Sequence, residues 1–355
     1  MRIAAAETVP YRLRLTRSVV WGGQAYETRE GVLLRLVDGD GREGWGDAAP
    51  LPGFSSETPD EAADALRPIG EALVGREVEP ADAVRPDAPI HTALDAAGLP
   101  SSVRFAVDLA LADLAAQALG RTLPQALHPD PAVALPLNGL LMGEREDVAA
   151  QAREMARAGY AAVKLKTGRQ SVAADVEAVR AVREALGPRV ALRLDANRAW
   201  SADEAAEFAA GVADVWIDYV EEPLADPAGL PELWLDTGLP IALDETLQAP
   251  GGEAMLRGWA RAVVLKPTLV GGLVATLRLA AAARAVGVRV VLSAAFESGV
   301  GLRGVAALAA ATGAEPAGLD TYRWLAEDVT GPLPFRQPRV DVPALFAQPV
   351  AVRVP

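Results

Sequence analysis

The chain has 355 residues, a net charge of −13, no Cys and two His. Without Cys there are no disulfides, thiolate nucleophiles or Cys-based zinc sites, and an acidic chain with no Lys/Arg run is ill suited to nucleic acid, whose phosphates need a basic face. No apolar stretch reaches the ~18 residues of a membrane span, and Met1-Arg-Ile-Ala-Ala-Ala-Glu7 is too short and too soon charged for a signal peptide, so a cytoplasmic protein with no membrane partner is expected.

Residues 1 to about 55 read as a β meander. Arg2 to Leu15 alternates, Gly31–Val37 is a strand, Asp38-Gly-Asp-Gly41 is a hairpin turn and Arg42 to Asp47 returns. Leu51-Pro-Gly-Phe-Ser-Ser56 has loop chemistry. Thr58, with Pro59 behind it and Glu61 three residues on, opens a helix through a capping box. The stretch Gly75 to Pro100, rich in Pro, Ala and Asp, is expected to be irregular. A second helix, Val103 to Leu119, stops at Gly120 and sets Phe105, Leu109, Ala112 and Ala116 on one face. His91 and His128, both in Pro/Ala-rich sequence, read as bystanders. Together these make an α+β capping domain over 1–130.

Val133-Ala-Leu-Pro-Leu-Asn138 reads as a first barrel strand and Glu146 to Ala158 as its helix. Short apolar segments then end in charge at Lys166, Asp195, Glu221, Asp244 and Lys266, each 22 to 29 residues after the last. That is the period of strand, helix and two turns, and five such units in a row predict a parallel sheet closed into a barrel, with its chemistry at the C-terminal strand ends. Helices are expected over Ala173 to Leu186, from the Ser201 cap with Glu204, over Gly272 to Val286 and over Leu302 to Thr312, with a strand at Arg289–Leu292. The fold class is α/β, a (β/α)7β barrel over 131–320 under the cap, with 321–355 returning to the cap.

Charge also punctuates strand ends because loops are wet, but five charges in register favour a site. Strand side chains alternate, so Lys164 and Lys166 share a face, as do Arg193, Asp195 and Asn197. Three carboxylates cannot crowd together without a cation. Oxygen ligands with no His or Cys point to Mg²⁺, with Mn²⁺ as a substitute. A dication beside a neutral amine suits proton removal next to a carboxylate, because the ion holds the enediolate oxygens while the amine takes the proton. Lys164, about 6.6 Å along the strand, would repel the Lys166 charge by roughly 2.5 kcal/mol at an effective dielectric of ~20, or about two pKa units. Lys164 has a second reading, as the ion-pair partner of a carboxylate.

The motifs Lys164-Leu-Lys166, Asp195-Ala-Asn197, Glu221-Glu-Pro223, Asp244-Glu245 and Lys266-Pro267 resemble the enolase superfamily in its muconate-lactonizing subgroup. The segments Pro50 to Thr58, Leu192 to Trp200, Arg261 to Leu269 and Gly318-Leu-Asp320 resemble, more narrowly, its o-succinylbenzoate synthase family. The likeness covers nearly the whole chain and departs at Ser293-Ala-Ala-Phe-Glu-Ser298, where that family carries a run of Ser. It implies Lys166 as the base, and then the acid, of a syn-dehydration of 2-succinyl-6-hydroxy-2,4-cyclohexadiene-1-carboxylate to 2-succinylbenzoate in menaquinone biosynthesis. It further implies Asp195, Glu221 and Asp244 as Mg²⁺ ligands and Lys266 as a cation over the dienolate. Lys164, Arg193, Asn197 and Ser293 would line the site for a small carboxylate substrate, and the loop Gln24 to Glu30 would close over it.

The same two lysines would also serve N-acylamino acid racemisation or dipeptide epimerisation, though the latter usually wants an acidic pair in the 293–298 segment, where only Glu297 lies. Muconate cycloisomerisation is a further use of the scaffold. From other classes, a Schiff-base aldolase would use a barrel Lys and a Gly-rich phosphate loop such as Gly299-Val-Gly301, and a barrel could be a scaffold without chemistry.

Overall fold

The computed structural model describes every residue except Gly22, 142–144, Pro250, Ala314, Gln337 and 354–355. Three antiparallel strands, β1 (Ile3–Trp21), β2 (Gln24–Asp38) and β3 (Glu43–Ala48), form the cap's sheet in that order. The β1–β2 hairpin runs from Ile3↔Asp38 out to Trp21↔Gln24. Residues 24–30, expected as a loop, are therefore strand. The β-branched and aromatic residues Val19, Val20, Trp21 and Tyr26 suit a pleated ribbon, and a polar composition alone did not reveal it.

The helix Pro59–Leu73 opens as expected: Thr58 Oγ1 accepts from the Glu61 amide at 3.3 Å, and the Glu61 carboxylate accepts from the Thr58 amide at 2.8 Å. The stretch 75–100 is more ordered than expected, holding a 3₁₀ turn at Pro80–Ala83 and a helix at Pro89–Ala96. Proline occupies the first turn of each, where its missing N–H costs nothing. The helix Ser101–Ala118 is buried over most of its circumference and lies against β3. Contact is so close that a Cβ on Gly46 would stand 1.8 Å from the Ala106 carbonyl oxygen. Gly46→Ala is expected to lower the unfolding free energy by about 2–4 kcal/mol through overpacking, read from a denaturant midpoint.

Ala134–Pro136 forms a short strand, β4, and the first barrel strand is β5 (Asn138–Leu141) rather than 133–138. Pro136 cannot donate to a central ladder. The parallel strands β6 (Ala162–Lys166), β7 (Ala191–Asp195), β8 (Tyr219–Glu221), β9 (Ile241–Leu243), β10 (Ala262–Leu265) and β11 (Arg289–Leu292) follow in chain order. Residues 317–318 close the ring as its eighth member. Ala317 accepts from the Asn138 amide at 2.8 Å, and Gly318 donates to the Leu292 carbonyl at 2.9 Å and accepts from the Ala294 amide at 2.9 Å. The fold is thus the expected (β/α)7β barrel with an antiparallel α+β cap.

Beyond the barrel, Leu325 bridges to Leu15, and the Ala326 amide donates to the Arg14 carbonyl, so this stretch does meet the cap. From there the tail departs from expectation: β12 (Phe335–Arg336) and β13 (Arg339–Asp341) join β4, beside the barrel's first strand and not on the cap. Among the described residues no helix is long and apolar enough to cross a membrane.

Candidate active site

Alternation decides what faces the barrel axis. In β6, Val163 and Leu165 are buried in the main core, while Lys164 and Lys166 point inward. Register then aligns neighbouring strand ends: Lys166 pairs with Asp195, and Asp195 with Glu221. Asp244 follows directly after β9, and Lys266 directly after β10. The three acids are fully buried.

Each acid meets a lysine. Lys164 Nζ donates to Asp195 Oδ2 at 2.8 Å and to Glu221 Oε2 at 3.2 Å. Lys166 Nζ donates to the same Asp195 oxygen at 2.6 Å and to Asn197 Oδ1 at 2.6 Å. Lys266 Nζ is hydrogen-bonded to Asp244 and lies 3.7 Å from Glu221 Oε1. The ammonium groups border a cavity of about 520 Å³ that also meets Asn197, Tyr219, Glu221, Ser293 and Phe296, with Trp21, Leu51 and Phe54 of the cap forming its apolar roof.

The electrostatics separate the three lysines. Burial lowers the pKa of Lys166, and repulsion by Lys164 and Lys266 assists against the pull of Asp195 and Glu221; the net shift is downward. Burial also disfavours charge on Lys164 and Lys266, but their carboxylate neighbours outweigh it and hold both above the ordinary lysine value. Asp244 is pushed well up, by burial first and then by Glu245 and Glu221, against the attraction of Lys266. Asp195 goes the other way: against the cost of burial, Lys164, Lys166 and Lys266 hold it well below the ordinary carboxylate range.

Among the described residues, no three acids stand around one point closely enough to hold an ion as the side chains are placed, each being drawn to an ammonium. The donor set still fits a hard dication. Three buried carboxylates lie on consecutive strands, no His or Cys is among them, and ammonium groups fill the positions between them where a cation is required.

Positions around the acids hold them in place. Glu222 accepts from the Asp244 and Thr246 amides, both at 2.7 Å, and from Arg198 Nε at 3.2 Å, which fixes the β9 end. Asn197 reaches from Lys166 to Glu245 Oε1, which its Nδ2 meets at 3.0 Å. Asn197, Arg198 and Glu222 all take positive φ, of 46°, 60° and 44°. Three non-Gly residues in this sparsely populated region cluster at the strand ends beside the acids, the kind of local strain that functional sites store.

Of the residues expected to line the site, Lys164, Asn197 and Ser293 border the cavity. Arg193 does not. Its strand position faces inward, but one layer below the acids, where the guanidinium meets Asp218 at 3.1 Å, Glu315 at 3.2 Å and the Pro316 carbonyl at 2.7 Å. Glu297 is also withdrawn, accepting from Thr268 Oγ1 and from the Ala295 amide, both at 2.6 Å. Tyr219, Asn138 and the cap residue Trp21 border the cavity without having been expected there. Tyr219 could have been found, standing two residues before Glu221 on the same face.

The chain matches the family model "Enolase C-terminal domain-like" over residues 147–346 and "MenC, N-terminal domain" over 3–114. It is 33% identical over 340 residues to the o-succinylbenzoate synthase of Klebsiella pneumoniae (strain 342), covering 94% of this chain and 96% of that one. To the o-succinylbenzoate synthase of Escherichia coli (strain SMS-3-5 / SECEC) it is 34% identical over 310 residues, covering 86% and 87%. The L-Ala-D/L-Glu epimerase of Bacillus subtilis, solved with its substrate, superposes with a TM-score of 0.86 at 26% identity over 96% of both chains.

Proposed function

We infer the reaction from one premise: the chain belongs to the o-succinylbenzoate synthase family of the enolase superfamily. It is a lyase that removes water from 2-succinyl-6-hydroxy-2,4-cyclohexadiene-1-carboxylate and releases 2-succinylbenzoate, a step of menaquinone biosynthesis. The observation that carries this reading is a half-buried amine of lowered pKa, Lys166, sharing one cavity with a lysine that is held protonated, Lys266.

The chemistry follows from those two states. Neutral Lys166 takes the proton from the ring carbon bearing the carboxylate, and the resulting ammonium returns a proton to the departing hydroxyl on the same face. One residue thus serves both half-steps, and the elimination is syn. Lys266 keeps its charge next to Asp244 and Glu221 and stabilises the negative charge left on the ring. Lys164 stays protonated as the tie between Asp195 and Glu221 and lowers the charge tolerance of Lys166. Asn197 aims the Lys166 amine through its Oδ1. The apolar roof of Trp21, Leu51 and Phe54 narrows the access of water to the cavity.

Asp195, Glu221 and Asp244 would hold Mg²⁺, or Mn²⁺ in its place. Such an ion would supply positive charge to offset the negative charge that develops on the substrate carboxylate.

Glu297 weighs against dipeptide epimerisation. A dipeptide brings a free ammonium group, and the one acid of the 293–298 segment is already engaged by Thr268 and the Ala295 amide. Incubating the purified protein with Mg²⁺ and the cyclohexadiene substrate should bleach the diene absorbance. An unchanged spectrum, alongside α-deuterium exchange of N-succinylamino acids, would replace dehydration with racemisation.

A further inference from the structure

Between cap and barrel lies a cation that the proposed reaction does not use. Arg29, on β2, is 1% exposed, and among the described residues its guanidinium is hydrogen-bonded to backbone carbonyls only. Nε donates to the Phe296 carbonyl at 3.0 Å; Nη1 donates to Glu30 at 2.8 Å and Pro50 at 2.6 Å; Nη2 donates to Ala49 and, at 3.5 Å, to Ala295. Among the described residues no carboxylate is bonded to it. Asp47 and Glu297 supply nearby opposite charge without touching it, and each feels its attraction.

Apart from that of Glu30, the carbonyls it gathers belong to two walls of the active cavity. Ala49 and Pro50 lead into Leu51 and Phe54, while Ala295 and Phe296 are wall residues themselves. Phe296 has a φ of 62°, a conformation disfavoured for any residue with a Cβ. It keeps this shape because Arg29 holds its carbonyl while Glu297 holds the Ala295 amide just before it. So held, the Phe296 ring meets Trp21 edge-on at 5.0 Å and Trp324 at 6.3 Å, closing an aromatic wall across the seam between cap and barrel.

We propose that Arg29 is a positioning residue for substrate selection: it seats Phe296 and the Leu51–Phe54 loop together, and so shapes the wall that faces the non-reacting arm of the substrate. The identity of that arm rests on the synthase reading; the seating of the wall does not. Lysine cannot replace arginine here, because one compact ammonium cannot span carbonyls on three separate segments.

The test compares Arg29→Met, Arg29→Lys and Phe296→Ala with the native protein. The wall meets an arm that does not react, so its contacts hold substrate and transition state alike, and losing them raises KM with little change in kcat. Arg29→Met is expected to raise KM for the cyclohexadiene substrate about 10- to 100-fold, the range for an impaired apolar pocket, with kcat within about threefold because Lys166 and Lys266 are untouched. Arg29→Lys should rescue little of this. Arg29→Met combined with Phe296→Ala should raise KM by less than the product of the two single effects, since the two share the Phe296 ring while only Arg29 also seats the Leu51–Phe54 loop. Near-ultraviolet circular dichroism gives a readout independent of turnover: Arg29→Met should lose the same aromatic signal as Phe296→Ala. A fall in kcat with KM unchanged, or additive KM effects in the double variant, would reduce Arg29 to a stabilising residue and overturn the proposal. Native protein with no turnover but the expected dichroism changes would reject the synthase reading and leave the seating of the wall intact.

Discussion

Lys166→Ala and Lys166→Arg should each leave a folded protein whose kcat is lower by about 10²–10⁴-fold, the range for loss of a positioned acid–base group. Arginine keeps the charge and can keep the contact with Asp195, but it is never neutral at accessible pH and so cannot accept the proton. The two variants should therefore be nearly equal, which separates a base from a mere counter-ion. The pH dependence of the native protein has a definite sign. Burial and the facing lysines lower the Lys166 pKa from its ordinary 10.5, so the neutral form is gained as pH rises through the lowered value, and kcat/KM should climb with pH and level off before 10.5. A profile that falls with rising pH over that range, or Lys166→Arg turning over like the native protein, would remove Lys166 from the base role.

The positions that could be read from sequence are those fixed by a period. Lys166, Asp195, Glu221, Asp244 and Lys266 close successive strand units, and alternation within a strand assigns Lys164 to the same face as Lys166. Arg193 shows the limit of that rule. Alternation gives the side of the sheet but not the depth, and two residues back along β7 is already the layer where Asp218 and Glu315 take the guanidinium. Contacts between distant segments leave even less trace. Nothing local in Arg29 indicates that it will find carbonyls of residues 295 and 296 across the seam. Nor does Ala317-Gly318 look like a barrel strand, its role being set by the gap that β5 and β11 leave. The 24–30 ribbon and the helix Pro89–Ala96 were obscured by composition, since polar residues and prolines mark loops on average while here they sit in strands and first turns.

Removing divalent ions with EDTA should abolish turnover, and Mg²⁺ should restore it. The same ion should also raise thermal stability, because a ligand bound only by the folded state adds about 2.7 kcal/mol at 100 times its Kd, roughly 3 to 4 °C in Tm for a chain of 355 residues. Two acid variants sharpen the reading. Glu221→Gln removes the carboxylate that both Lys164 and Lys266 approach, and Asp244→Asn removes the hydrogen-bonded partner of Lys266. Each leaves a buried ammonium with less opposite charge, so each should be less stable than the native protein before any ion is added. Each should then gain less from Mg²⁺, since a neutral amide is a poorer ligand for a hard dication. If the acids served only to neutralise the lysines, the first effect would appear without the second: Mg²⁺ would shift no melting curve, EDTA would leave turnover intact, and the cluster would be an ion-pair network and not a metal centre.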